Sequence, residues 1–310
     1  MQILFWGNGE RGQACLQKIL ASGFEVVGVI DQRRDMVEGK FETLEIQAKK
    51  ANIDYQVLED LRSKESVELV SRYRADLFVL AGYARLLPPQ MVKIPPMGII
   101  NTHAGRIPEF RGTAAIPWQI IRGEQRLGLT VLYADEGVDT GDVLLAEDFE
   151  LKSEEGATEA VEMAVQRFPE MLVTVLAGLK SNNLKGAPQD LSLGKQYTRR
   201  NPEDGLIDCR FMSADLIFNT IRALRHPYPG AFGWLGESKI ILHRASMIER
   251  DILGVPGRVP FRTSEGVVLI AHDRGLLLTE VLLDGSAAPA GQVFHAGDTL
   301  SPYPSIAVPV

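Results

Sequence analysis

Asn101-Thr102-His103 and Asp139, the latter inside Gly137-Val138-Asp139-Thr140-Gly141-Asp142, are the residues of this chain whose types and spacing could do chemistry. An Asn amide can donate to a carbonyl oxygen as it turns into an oxyanion. An imidazole can accept a proton from a nucleophile near neutral pH. A carboxylate beside that imidazole fixes its tautomer and stabilises its cation. No Ser or Cys stands in a recognisable nucleophile motif nearby, so the set suits acyl transfer in which the substrate brings the nucleophile. Taken singly, an Asn, a His or an Asp is more often a cap, a turn or a satisfied polar group.

The elements around these residues argue for the functional reading. Residues 77–80 are continuously apolar and read as a strand, followed by Ala81-Gly82-Tyr83-Ala84-Arg85-Leu86-Leu87-Pro88. Residues 98–100 form a second short apolar run that delivers Asn101 and His103 at its carboxyl end. Residues 129–133 form a third, ending just before Asp135-Glu136-Gly137-Val138-Asp139. Ligands of open α/β sheets bind outside the carboxyl ends of the strands, and all three segments are expected to place their polar residues there.

Ile100-Asn101-Thr102-His103, then Ile107-Pro108-Glu109-Phe110-Arg111-Gly112, then Gly137-Val138-Asp139-Thr140-Gly141-Asp142 resemble the folate-dependent formyltransferases. That family carries Asn-x-His, a Leu-Pro-x-x-Arg-Gly loop and an Asp in an Asp-x-Gly turn. The 36 positions between His103 and Asp139 match its usual spacing. Arg222-Ala223-Leu224-Arg225-His226-Pro227-Tyr228-Pro229-Gly230-Ala231-Phe232 resembles the start of its C-terminal barrel, so the likeness covers about residues 1–290. Two departures stand out. The family usually has His-Pro-Ser or His-Gly-Ser where this chain has His103-Ala104-Gly105, which removes a hydroxyl. Thr113 follows Arg111-Gly112 where several sugar-modifying relatives carry a second Arg.

The resemblance implies formyl transfer from N10-formyltetrahydrofolate to an amine, with neither metal nor covalent enzyme intermediate. Asn101, His103 and Asp139 are then catalytic. Arg85, Leu86 and Leu87, with Asp135, Glu136, Gly137 and Val138, wall the pterin pocket.

Gly7-Asn8-Gly9-Glu10-Arg11-Gly12 follows the first strand, opens a helix and matches Gly-x-Gly-x-x-Gly, with Asp31 after the second strand. A rival reading is a nicotinamide dinucleotide site, with a pyrophosphate seated on helix N–H groups. A bland one is a tight β–α turn that needs glycines. In a formyltransferase the segment would instead meet the amine substrate, through Asn8, Gly9 and Arg11, with Arg111 from the later loop. Trp118 and the remaining histidines read as packing and structural residues.

The chain has 310 residues, 45% hydrophobic and 24% charged, ordinary values for a soluble globular protein of two domains. No signal-peptide pattern opens it, and no run of ~18 apolar residues suggests a membrane span. Cys15 and Cys209 form no metal or redox motif. A cytoplasmic, reduced protein is expected. Residues 1–180 alternate strand-like and helix-like segments (helical spacing at 13–21, 41–50, 64–74, 115–122 and 158–177), which implies parallel strands with crossover helices. Residues 182–205 are rich in Asn, Gly, Pro, Gln and Asp and read as a linker. After a helix at 214–224 come short β-like runs at 239–243, 258–260, 267–271 and 276–283, punctuated by Gly and Pro. The expected architecture is α/β: a Rossmann-like catalytic domain over 1–181, a linker over 182–205, and a small OB-like β-barrel over 206–310.

The acceptor is argued from charge. Of the net −7, residues 201–310 carry −3, from nine Lys/Arg and twelve Asp/Glu. Nucleic-acid binders usually show a basic face, and Arg33-Arg34, Lys49-Lys50 and Arg199-Arg200 are short and scattered. The stretch 31–40 is short and of mixed charge, whereas methionyl-tRNA formyltransferases carry a longer basic loop there. The favoured partner is therefore a nucleotide-linked amino sugar (a UDP- or dTDP-activated 4-amino sugar), with no nucleic acid and no membrane, and a homodimer left open. The alternatives are methionyl-tRNA, water (a formyltetrahydrofolate hydrolase), or an NAD-binding module.

Overall fold

A computed structural model of the chain describes residues 1–32 and 42–305. The mixed-charge stretch 33–40 and Phe41, at the expected start of a helix, lie outside the described residues. The chain separates into two compact units, Met1–Ala115 with Gly128–Phe149 and Val161–Tyr197, and Ile116–Leu127 with Glu150–Ala160 and Thr198–Val310.

The elements up to residue 197 are β1 (Gln2–Gly7), α1 (Gly9–Ala21), β2 (Glu25–Asp31), α2 (Leu44–Lys50), β3 (Asp54–Val57), α3 (Lys64–Arg72), β4 (Leu77–Ala81), α4 (Pro89–Val92), β5 (Ile99–His103), β6 (Phe110–Gly112), α5 (Ala115–Ile121), β7 (Arg126–Tyr133), β8 (Val143–Glu150), α6 (Ala157–Lys180) and β9 (Lys195–Tyr197). Seven strands form one sheet in the order β3-β2-β1-β4-β5-β7-β8. Its centre is made by apolar runs: Ile3 to Gly7 in β1 and all of β4 are buried. Continuous burial of this kind belongs to parallel strands covered on both faces, and β3-β2-β1-β4-β5 are indeed all parallel.

β7 departs from the expected all-parallel pattern. It runs antiparallel to β5, pairing Ile100 with Tyr133 and His103 with Thr130. Its carboxyl end thus lies level with the start of β5, not beside His103. β3 was not apparent in the sequence, because Asp-Tyr-Gln-Val at a half-exposed edge carries no apolar run.

The β1–α1 turn requires its glycines for packing. A Cβ on Gly12 would stand 2.9 Å from the Ala81 carbonyl oxygen, and Gly9 has φ +60°. α2 and α3 start at capping side chains: Thr43 Oγ1 accepts from Ile46 N, and Ser63 Oγ from Ser66 N.

The second unit carries α7 (Ala214–Ala223), β10 (Ala231–Leu235), β11 (Ser238–Met247), β12 (Val267–Ile270), β13 (Gly275–Leu283), β14 (Ser286–Pro289) and α8 (Ala290–Val293). The strands form a five-stranded antiparallel half-barrel, in the order β10-β11-β13-β12 with β14 on β13. Ile217 and Ile221 of α7 share its core with Leu242, Leu269, Leu278 and Phe294.

Candidate active site

The short strand β5 ends in the two residues with most chemical potential. Its register sets Asn101 beside Leu80 of β4 on one side and Leu132 of β7 on the other. His103 is 7% exposed. Its Nε2 lies 2.7 Å from the Phe110 carbonyl oxygen. A carbonyl only accepts, so Nε2 carries the proton. Nδ1 is left facing the Asp139 carboxylate, 3.3 Å from Oδ2. In neutral His103 that nitrogen is the ring's one free lone pair. Once it takes a proton, the contact becomes an ion pair.

Two donors hold the Asp139 carboxylate. The backbone N–H of Gly112 donates to Oδ2 at 2.9 Å. The Asn101 amide donates to Oδ1 at a long 3.4 Å, a bond weak enough to be exchanged for a better acceptor. His103 Nδ1 faces the third side and joins the hold only when it carries a proton. The carboxylate therefore links the amide and the imidazole into one constellation.

Because β7 is antiparallel, Asp139 does not arrive at the carboxyl end of a parallel strand. It returns on a loop closed at its base by Tyr133 N donating to Asp142 O at 2.9 Å. Asp135 shapes the tip, its Oδ1 accepting from Gly137 N at 2.9 Å and Thr140 Oγ1 at 2.6 Å. Gly141 passes so near Tyr133 that a Cβ would stand 2.1 Å from its carbonyl oxygen. Asp139 itself has φ +52°, a left-handed conformation that costs a non-glycine residue about 1–3 kcal/mol and persists only where the surroundings enforce it. Burial, with the carboxylate of Asp142 second, raises the Tyr133 hydroxyl above its ordinary pKa.

Gly105 explains the missing hydroxyl in His103-Ala104-Gly105. A Cβ there would stand 2.5 Å from His103 Nε2 and 2.7 Å from Phe110 O. In this chain the imidazole–carbonyl bond occupies the space that a side chain at 105 would fill.

The other expected site residues divide. Leu86 is 78% exposed, and Asp135, Glu136 and Gly137 are exposed while Val138 is half-buried. Leu87 packs against the core formed by Trp6, Phe78 and Ile99. The Arg85 guanidinium donates to the carbonyls of Leu58 (2.5 Å) and Glu59 (2.7 Å). Asn8 is the N-cap residue of α1 without a side-chain capping bond, and Gly9 begins the helix. Arg11 lies over the Phe168 ring at 5.5 Å. Arg111 Nη2 donates to Leu191 O at 3.4 Å. Asp31 accepts from Tyr55 Oη at 2.8 Å. Trp118, read as packing, lies under the Arg200 guanidinium at 4.7 Å and donates from Nε1 to Thr198 O.

Sequence reasoning gave no role to the Phe110 carbonyl or the Gly112 amide, since backbone atoms leave no compositional signal. It also passed over Gln189, inside the expected linker, whose Nε2 donates to the carbonyls of Asp139 (3.0 Å) and Gly141 (2.6 Å). Among the described residues no group of three or more His, Cys, Asp or Glu is placed to hold a metal ion, and no helix is long and apolar enough to cross a membrane.

Residues 1–176 match the formyl transferase family and residues 200–299 the formyl transferase C-terminal domain. The chain belongs to the formyl transferase family. It is an N-formyltransferase by that membership. It is 30% identical over 306 residues to a methionyl-tRNA formyltransferase of Syntrophus aciditrophicus, covering 97% of each chain. A second, from Ruminiclostridium cellulolyticum, is 30% identical over 92% of this chain and 93% of its own. Among solved structures, the sugar 3N-formyl transferase WlaRD, determined in the presence of dTDP and 5-N-formyl-THF, superposes with a TM-score of 0.69 over 92% of this chain and 98% of its own, at 16% identity.

These likenesses overturn the nucleotide-linked amino sugar as acceptor. The relatives similar over nearly the whole chain are methionyl-tRNA formyltransferases, while the sugar enzyme, at 16% identity, shares the fold alone. The exclusion of nucleic acid loses its support with it. The charge argument failed because net totals do not say where charges stand. Residues 181–200 hold four Lys/Arg against one Asp, a local +3 inside a chain of −7.

Proposed function

We propose that this protein transfers the formyl group of N10-formyltetrahydrofolate to the amino group of methionyl-tRNA. The acceptor is supported by the 30% identity over nearly the full chain to methionyl-tRNA formyltransferases, and the formyl-transfer chemistry by the His103 Nδ1–Asp139 contact at 3.3 Å with the Asn101 amide on the same carboxylate. The unprotonated amine attacks the formyl carbon. The carbonyl oxygen becomes an oxyanion, and Asn101 Nδ2 exchanges its long bond to Asp139 for this stronger acceptor. His103 takes the amine proton on Nδ1, and Asp139 stabilises the resulting imidazolium. The oxyanion collapses, the carbon–N10 bond breaks, and the proton held on His103 Nδ1 passes to N10, giving the formamide, tetrahydrofolate and neutral His103. His103 Nε2 stays on the Phe110 carbonyl, so a single nitrogen handles the proton.

The donor fits the residues around this centre. Leu86 leaves 78% of its surface uncovered at the carboxyl side of β4, which suits the flat face of a pterin. The exposed turn at Asp135–Gly137 offers main-chain groups to the ring edge. N10-formyltetrahydrofolate is accordingly the formyl donor, and Leu86, Leu87 and residues 135–138 are the pocket wall; Arg85 is left out, its guanidinium being spent on Leu58 and Glu59.

The test is incubation with N10-formyltetrahydrofolate and methionyl-tRNA, followed by mass spectrometry of the aminoacyl group. Gain of one formyl group on methionine is the expected result. Release of tetrahydrofolate at the same rate without any amine would instead assign a hydrolase and contradict the proposal.

A further inference from the structure

We infer that residues 187–197 form a strap that sets the geometry of the reacting groups, and that Gln189 is a positioning residue for Asp139. The segment reads as linker in the sequence, yet it grips both loops of the candidate site. At its start Ala187 exchanges two backbone hydrogen bonds with Val143, each 2.8 Å. Gln189 then donates from Nε2 to the carbonyls on either side of the Asp139–Gly141 turn. Two carbonyl acceptors at one nitrogen fix the orientation of the amide, because the flipped form would set oxygen against oxygen. That pair of bonds pins a turn whose Asp139 has φ +52°. Gln189 thereby supplies the enforcement which a left-handed non-glycine residue requires.

Further along, the strap passes Pro108 so closely that a Cβ on Gly194 would stand 1.8 Å from its carbonyl oxygen. β9 then pairs in parallel with β6, from Phe110–Lys195 to Gly112–Tyr197. The Tyr197 ring stacks on Phe110 at 5.2 Å and 11°. Phe110 is the residue whose carbonyl fixes His103 Nε2, and Gly112 the one whose N–H fixes Asp139 Oδ2. Both partners of the His103–Asp139 pair are therefore referenced to one segment of chain.

The inference rests on the roles assigned above to His103 and Asp139. Steady-state kinetics should compare wild type, His103→Ala, Gln189→Met and Tyr197→Ala, all in the full chain. Gln189→Met keeps length and removes the donor. Two lost hydrogen bonds predict a kcat fall of about tenfold or more, with KM for the folate donor within about twofold. The low-field imidazole N–H resonance of His103 should move in the same variant, while far-UV circular dichroism and the Tm stay near wild type. Tyr197→Ala removes the ring stacked on Phe110 and should lower kcat as well. Wild-type kcat in Gln189→Met, or a change confined to Tm, overturns the inference while the catalytic reading stands. Wild-type kcat in His103→Ala overturns that reading and the inference with it.

Discussion

Gly105 and His103 occupy mutually exclusive volumes: a Cβ on residue 105 would stand 2.5 Å from His103 Nε2. The imidazole holds its place by donating to the Phe110 carbonyl at 2.7 Å. The absence of a side chain at 105 is thus part of how this chain orients its imidazole.

Gly105→Ser should therefore impair this enzyme. The added atoms must displace the ring or the Phe110 carbonyl, an overpacking that costs about 1–3 kcal/mol in stability. With the ring displaced, kcat should fall about tenfold or more. Thermal melting and initial rates measure the two effects; unchanged values in both would contradict this packing account.

Asp139→Asn separates charge from shape. Asn tolerates a left-handed backbone nearly as well as Asp, so the turn should survive. The amide cannot stabilise an imidazolium, and kcat should drop about 10²- to 10⁴-fold with the circular dichroism spectrum preserved. Retention of wild-type kcat would remove Asp139 from the proton-transfer account.

Part of the candidate site was legible because Asn101 and His103 close a strand that opens on an apolar run. β4 and most of β1 show as apolar runs, and the short run Ile99-Ile100 leads into Asn101 and His103, which the structure sets beside Asp139. What was hidden depends on backbone and on distant pairing. No local pattern says that β7 is antiparallel, since an apolar strand looks the same in either direction. The strap reads as linker because the stretch 182–205 that contains it is rich in Asn, Gly, Pro, Gln and Asp, and its pairing with β6 joins residues far apart in sequence. Arg85 has the residue type of a ligand contact, but only its partners reveal that two carbonyls already hold it.

The acceptor makes a salt-dependent statement. If methionyl-tRNA is bound through several phosphates, log K falls linearly with log salt, with a slope of about −0.7 to −0.9 per neutralised phosphate. KM for methionyl-tRNA should then rise at least about tenfold between roughly 50 and 200 mM salt, while KM for the folate donor changes little. A flat KM across that range would argue against a polyanionic acceptor.

The most direct test of the account is the turnover number of His103→Ala in formylation of methionyl-tRNA by N10-formyltetrahydrofolate, measured beside binding of the reduced folate. The expected result is a fall in kcat of about 10²- to 10⁴-fold with folate affinity nearly unchanged, because the imidazole acts on the amine proton as the bond forms. Turnover equal to wild type, or a loss wholly explained by weaker folate binding, would contradict it.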